Sequence, residues 1–179
     1  MKRFMAMAVV VVLVAGGAAR GQMAGDPRFE QIDKLAERKT ITGEGIILRK
    51  TEGISTRELF KPPVEITIVA KTDSTNLRIG YAADQVIFNW ENNPTELRVD
   101  GGPAKGKHKP GAGGIPKNTF VTIRWLVQPT QQQIFVDGQL RYEHAGNYSR
   151  INNPVTVCSN KSRVAVKSIL VRKLTDAGK

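Results

Sequence analysis

The sequence predicts an all-β protein, a sandwich or barrel of short strands, with a short N-terminal helix. Three observations carry this prediction. From residue 40 onward apolar residues recur with period two, the mark of half-buried strands. Gly, Pro, Asn and Asp separate these runs into many short segments, as a sandwich or barrel requires. The chain has one cysteine, Cys158, so packing rather than an internal disulfide must hold the fold. A buried, inert thiol suits its apolar strand-like surroundings.

Residues 1–21 read as a secretory signal peptide. Lys2 and Arg3 precede an apolar run of 12 residues from Phe4 to Ala15, and small residues then allow cleavage after Ala19 or Gly21. A helical membrane span needs about 20 apolar residues, so the run is short for an uncleaved anchor. The reading implies a secreted, periplasmic or cell-envelope protein with no transmembrane span after cleavage. Residues 22–39 form an arm or short helix. Asp26 can cap it, Pro27 suits the first helical position, and Phe29, Ile32 and Leu35 or Ala36 recur at helical spacing.

Residues 40–174 make the sandwich, and 175–179 a C-terminal tail. Candidate strands cover 40–50, 64–72, 76–82, 85–90, 95–100, 120–127, 131–137, 139–144, 153–159 and 163–174. Val64, Ile66, Ile68 and Ala70 share one face, as do Val121, Ile123, Trp125 and Val127, which makes Trp125 a core residue. Val86, Phe88 and Trp90 also share a parity. In the last run Val164, Val166, Ser168 and Leu170 alternate with Ala165, Lys167, Ile169 and Val171. Pro129-Thr130 turns the chain once, and Asp137-Gly138 turns it again as a type I′ hairpin. Three strands then form a meander in which Phe135 faces Leu140 and Gln133 faces Tyr142. The segment 100–118 breaks the rhythm with six glycines and three prolines. A loop of this length is commonly functional or disordered.

The run TIRWLVQPTQQQIFVDGQL resembles the concanavalin A-like lectin/glucanase superfamily, in particular its laminin-G-like jelly-roll members. Trp125 stands on one strand, the next ends in the Val136-Asp137-Gly138 hairpin, and VAVKSILVRKL is similar to the closing strand that returns beside the N-terminal one. The resemblance spans about residues 40–174. It implies an antiparallel two-sheet jelly-roll sandwich with a concave face, and a role among sugar binders, glycosidases, adhesion modules or structural pieces.

Glycosidases of that superfamily carry alternating acidic residues on one strand, and retaining chemistry needs carboxyl groups about 5–5.5 Å apart. The pattern is absent here. Glu91, Glu96 and Asp100 are the nearest cluster, and a turn at Asn92-Asn93-Pro94 interrupts it. The sequence has two histidines, no zinc motif, no nucleophile elbow and no phosphate-binding glycine loop. No cofactor is implied. Calcium would have Asp73, Asn76, Asp84 and Asp100 as its oxygen donors, without EF-hand spacing.

A sugar needs an aromatic platform beside amides, carboxylates and Arg. Arg78, Tyr81, Asn89, Trp90 and Glu91 are the carbohydrate-binding candidates, with Trp90 as platform if it leaves the core face. Arg98, Lys105, Lys107, His108 and Lys109 are the anion-binding candidates, because the surrounding glycines open backbone N–H groups to a sulfate, phosphate or carboxylate. The net charge of +11, or two units less after loss of Lys2 and Arg3, suits an acidic polysaccharide or envelope. Aromatics make up only 6% of the chain, so stacking surfaces for nucleic acid are sparse. The function expected is an exported, non-catalytic, lectin-like module for polysaccharide or envelope glycan. The alternatives are a domain that packs on another envelope protein and, less favoured, a glycoside hydrolase.

Overall fold

A computed structural model describes residues 41–175. The signal peptide expected over 1–21 and the helix expected over 22–39 lie outside the described residues, as do residues 176–179. Among the described residues every regular element is a strand.

Twelve strands form two sheets: β1 Ile41–Thr42, β2 Gly45–Lys50, β3 Gly53–Ser55, β4 Val64–Thr72, β5 Leu77–Gly80, β6 Gln85–Phe88, β7 Arg98–Asp100, β8 Val121–Gln128, β9 Gln131–Val136, β10 Gln139–Ala145, β11 Thr156–Cys158 and β12 Ser162–Lys173. The seven-stranded sheet runs β1-β2-β12-β4-β8-β9-β10, and the five-stranded sheet runs β3-β11-β5-β6-β7. Each pairing is antiparallel. The chain changes sheet repeatedly between meanders, so the architecture is a jelly-roll sandwich.

β4 shows why these residues become strand. Val64, Ile66, Ile68, Ala70 and Thr72 are fully buried, and the residues between them are half-buried. β-branched side chains at alternate positions fill one face of a pleat. β4 lies between β12 and β8, so truncating Ile66 or Ile68 to Ala would cost about 2–5 kcal/mol. Trp125 packs its ring edge-on against Tyr81, with centroids 6.1 Å apart, and its Nε1–H donates to Gln132 Oε1 at 2.9 Å. The three-strand meander β8-β9-β10 forms as expected. Asp137 and Gly138 both take positive φ, at 49° and 80°.

Two bulges change the expected parity. Phe135 does face Leu140, but Tyr142 faces Ile134 and Gln133 faces Glu143, because Arg141 is an extra residue in β10. In β12 the register shifts between Val166 and Ser168. Inward positions are therefore Val164 and Val166 before Lys167, then Ile169 and Val171 after it. Leu170, expected beside Val166, is exposed. Gly45 lies against this bulge: a Cβ there would sit 2.2 Å from the Val166 carbonyl oxygen. β3 went unpredicted, since three residues at a sheet edge carry no readable period.

Candidate functional site: a polar groove on the five-stranded sheet

The outer face of the five-stranded sheet collects the polar residues. On β5, Leu77 and Ile79 enter the core, so Arg78 and Gly80 face outward. On β6, Val86 and Phe88 enter it, and Gln85 and Ile87 face outward. Val99 does the same for Arg98 and Asp100 on β7, and Val157 for Thr156 and Cys158 on β11. The registers align Cys158, Arg78, Ile87 and Arg98 in one row across the strands. The neighbouring row holds Thr156 opposite Gly80 and Gln85 opposite Asp100.

A groove of about 260 Å³ opens on this face, lined by Thr51, Arg78, Asp84, Gln85, Thr156 and Asn160, with Gly80 in its floor. A shallower depression of about 180 Å³ continues past Gly80 to Asn153 and Pro154. The groove depends on a glycine. A Cβ at position 80 would stand 2.5 Å from Thr156 Oγ1 and 2.9 Å from the Asp84 carbonyl oxygen.

Arg78 forms one wall and is held from three sides. Nη1 donates to Gln85 Oε1 at 2.8 Å, Nη2 donates to Asn76 Oδ1 at 3.1 Å, and Glu91 lies 3.5 Å from Nη2. Its Nε–H is buried without a partner among the described residues. Cys158 is half-buried on the groove wall rather than inside the core. Burial pushes its thiol pKa above the ordinary value, and the Arg78 charge opposes that rise.

Two of the sugar-contact candidates are corrected. Tyr81 is 2% exposed and donates its hydroxyl to the Phe60 carbonyl at 3.2 Å, so it offers no face to a ligand. Burial alone raises its phenol well above the ordinary range. Asn89 is also buried; its Nδ2 donates to Ile115 O and its Oδ1 accepts from Ile115 N. Asn89 takes a positive φ of 48°, a conformation Asn tolerates. That turn takes Trp90 off the core parity of Val86 and Phe88. Trp90 is half-buried outside the core cluster, but one ring face lies under the Arg98 guanidinium at 4.3 Å. Arg98 also pairs with Asp100 at 2.8 Å, which raises its pKa. Ile87, between Arg78 and Arg98, is 2% exposed although it faces outward. Thus Arg78 and Glu91 meet beside the groove, and Trp90 lies toward β7 instead of lining it.

The segment 100–118 is ordered. Leu97 and Lys109 exchange backbone hydrogen bonds at 2.9 and 3.0 Å, and Gly106 N–H donates to Val99 O. Val99 N–H donates to His108 Nδ1 at 2.9 Å, and the Tyr142 hydroxyl donates to Lys107 O. Ala104 is fully buried as a plug. Lys105, Lys107 and Lys109 remain exposed, whereas Arg98 is engaged by Asp100 and Trp90.

Three carboxylates on or beside this face have different surroundings. Asp84 lines the groove, Asp100 is tied to Arg98, and Glu91 approaches Arg78. The calcium candidates are dispersed in function too: Asp73 accepts from Arg163 N–H, and Asn76 accepts from Arg78. Among the described residues no group of three or more His, Cys, Asp or Glu is arranged to hold a metal ion. Gly80, Asp84, Gln85, Thr156 and Asn160 are groove residues that the sugar-site reading of the sequence missed. The available signal was the lone glycine in the strand-like run Leu77 to Ala82, since such a glycine marks close approach.

The sequence matches no protein-family model and no curated protein. The fold does match solved structures. The Crh5 transglycosylase aligns at a TM-score of 0.65 and 14% identity, over 89% of this chain and 87% of that one. A provisionally assigned glycosyl hydrolase from Parabacteroides distasonis aligns at 0.59 and 12%, over 83% and 96%. The carbohydrate-binding module CBM66 from Bacillus subtilis aligns at 0.52 and 10%, over 74% and 89%. At these identities the likeness concerns the fold alone, the two-sheet antiparallel sandwich. Among the described residues no helix is long and apolar enough to cross a membrane.

Proposed function

We propose that this chain is an exported, non-catalytic, lectin-like module that binds a glycan in the groove over Gly80. The groove itself carries the reading. A glycine-floored trough lined by Arg78, Asp84, Gln85, Thr156 and Asn160 offers cationic, carboxylate, amide and hydroxyl partners to sugar hydroxyls. Enzymes and a binding module share the fold, so the fold leaves the class of activity open. The lining favours binding, because Asp84 stands in it without a second carboxylate. Export and an envelope location rest on the N-terminal sequence.

A second reading, a domain that packs on another envelope protein, is favoured by the covered face of Trp90 and by exposed Leu140 and Leu170. Affinity electrophoresis through gels holding neutral or acidic polysaccharides separates the two. The glycan reading expects retardation of the wild type, and its loss in Gly80→Ala, whose methyl group enters the groove. Trp90→Ala should retain most of the retardation. Near-UV circular dichroism checks that both variants are folded. Wild-type migration unchanged by every polymer would favour the protein-packing reading.

A further inference from the structure

We infer that the loop beyond β7 is a second subsite, selecting glycans that carry carboxylate or sulfate groups. The inference rests on the reading of the groove as a glycan site. Lys105, Lys107 and Lys109 are all exposed, and none forms an ion pair with a carboxylate among the described residues. Four basic residues on the seven-stranded sheet contrast with them. Arg124 and Arg172 share Glu65, and Lys71 and Arg163 share Glu44. Three uncompensated charges within five residues therefore project from one short segment.

The segment is also fixed in shape. The Leu97–Lys109 exchange closes it, His108 accepts from Val99 N–H, and the Tyr142 hydroxyl holds Lys107 O from the other sheet. A held backbone lowers the ordering cost that a flexible lysine loop would pay on binding.

Its position relates it to the groove. The row holding Thr156, Gly80, Gln85 and Asp100 crosses the strands from the groove to β7, and Gly101 begins the loop directly after Asp100. Three strand spacings separate β11 from β7, about 14 Å, and the Leu97–Lys109 bridge adds about one more, the reach of a few sugar units. Asp100 on this route is paired with Arg98. Asp84 packs its carboxylate against Gly101. Unsubstituted hydroxyls would therefore lie near Asp84, and the anionic substituents would lie on the lysines.

The test uses the full chain with polygalacturonate, dextran sulfate and neutral polysaccharides as probes. The loop variant is Lys105→Gln, Lys107→Gln and Lys109→Gln together. Its charge-matched control is Arg49→Gln, Lys61→Gln and Lys167→Gln, three other exposed positions. Wild type should bind at least one polyanion, weakening about fivefold or more between roughly 0.02 and 0.3 M salt. The loop variant should lose most of this salt-sensitive binding and the control should keep it. The inference is overturned if the two variants behave alike, or if wild type binds neither polyanion. Gly80→Ala separates the two sites. Polyanion binding that survives Gly80→Ala but not the loop variant keeps the lysine site and removes the groove. Neutral-glycan binding lost in Gly80→Ala, with polyanion binding unchanged in the loop variant, keeps the groove and removes the lysine site.

Discussion

Cys158 illustrates how one residue's chemistry follows from its place in a pleat. It is outward on β11, yet burial raises its thiol pKa, with Arg78 acting in the opposite sense. The thiolate is the reactive form. Native protein should therefore react with a disulfide reagent at pH 8 more slowly than chain unfolded in denaturant, and the native rate should keep rising at higher pH. A native rate equal to the unfolded one would remove this account. Gly53 opposite it was unremarkable in the sequence, although a Cβ there would stand 2.8 Å from Cys158 Sγ. Contacts of this kind join residues more than a hundred positions apart, and no local pattern announces them. Asn89 is similar: its positive φ decides where Trp90 points, while the alternation of Val86 and Phe88 suggests the opposite.

At the level of elements, the turn between β1 and β2 is a clamp. Glu44 accepts hydrogen bonds from Lys71 on β4 at 2.5 Å and from Arg163 on β12 at 2.7 Å. These bonds, Lys71 first, hold its carboxyl below the ordinary value of 4.5. A lowered folded-state pKa stabilises the fold above the unfolded pKa, and the benefit disappears as pH falls through the folded value. Thermal midpoints should thus drop below about pH 4.5, and Glu44→Gln should flatten part of that drop. An identical pH profile in the variant would show that the clamp contributes nothing. The strands themselves were legible where period two ran unbroken, as in β4, β8 and β9. Legibility failed at Arg141 and Lys167, because a bulge inserts one residue and reverses every later side chain. Sequence alternation has no means to mark that event. The groove was legible only through Gly80, since its other lining residues come from segments far apart along the chain.

On the scale of the whole molecule, the sheet order ties the two ends of the fold together. β12 is the interior neighbour of both β2 and β4, pairing Val166 with Ile46 on one side and Ala70 on the other. A chain ending at Lys161 lacks this strand. It should show a far-UV spectrum without native strand signal and a solvent-exposed emission from Trp125, which the complete fold keeps in its core. Native-like spectra from that chain would mean that the remaining strands suffice. The same arrangement governs timing. Before β12 is synthesised, β2 has no inner partner and β4 has one open edge, so the seven-stranded sheet has no continuous middle. Closure of the seven-stranded sheet therefore waits for Ser162–Lys173, the last of the described strands to leave the ribosome.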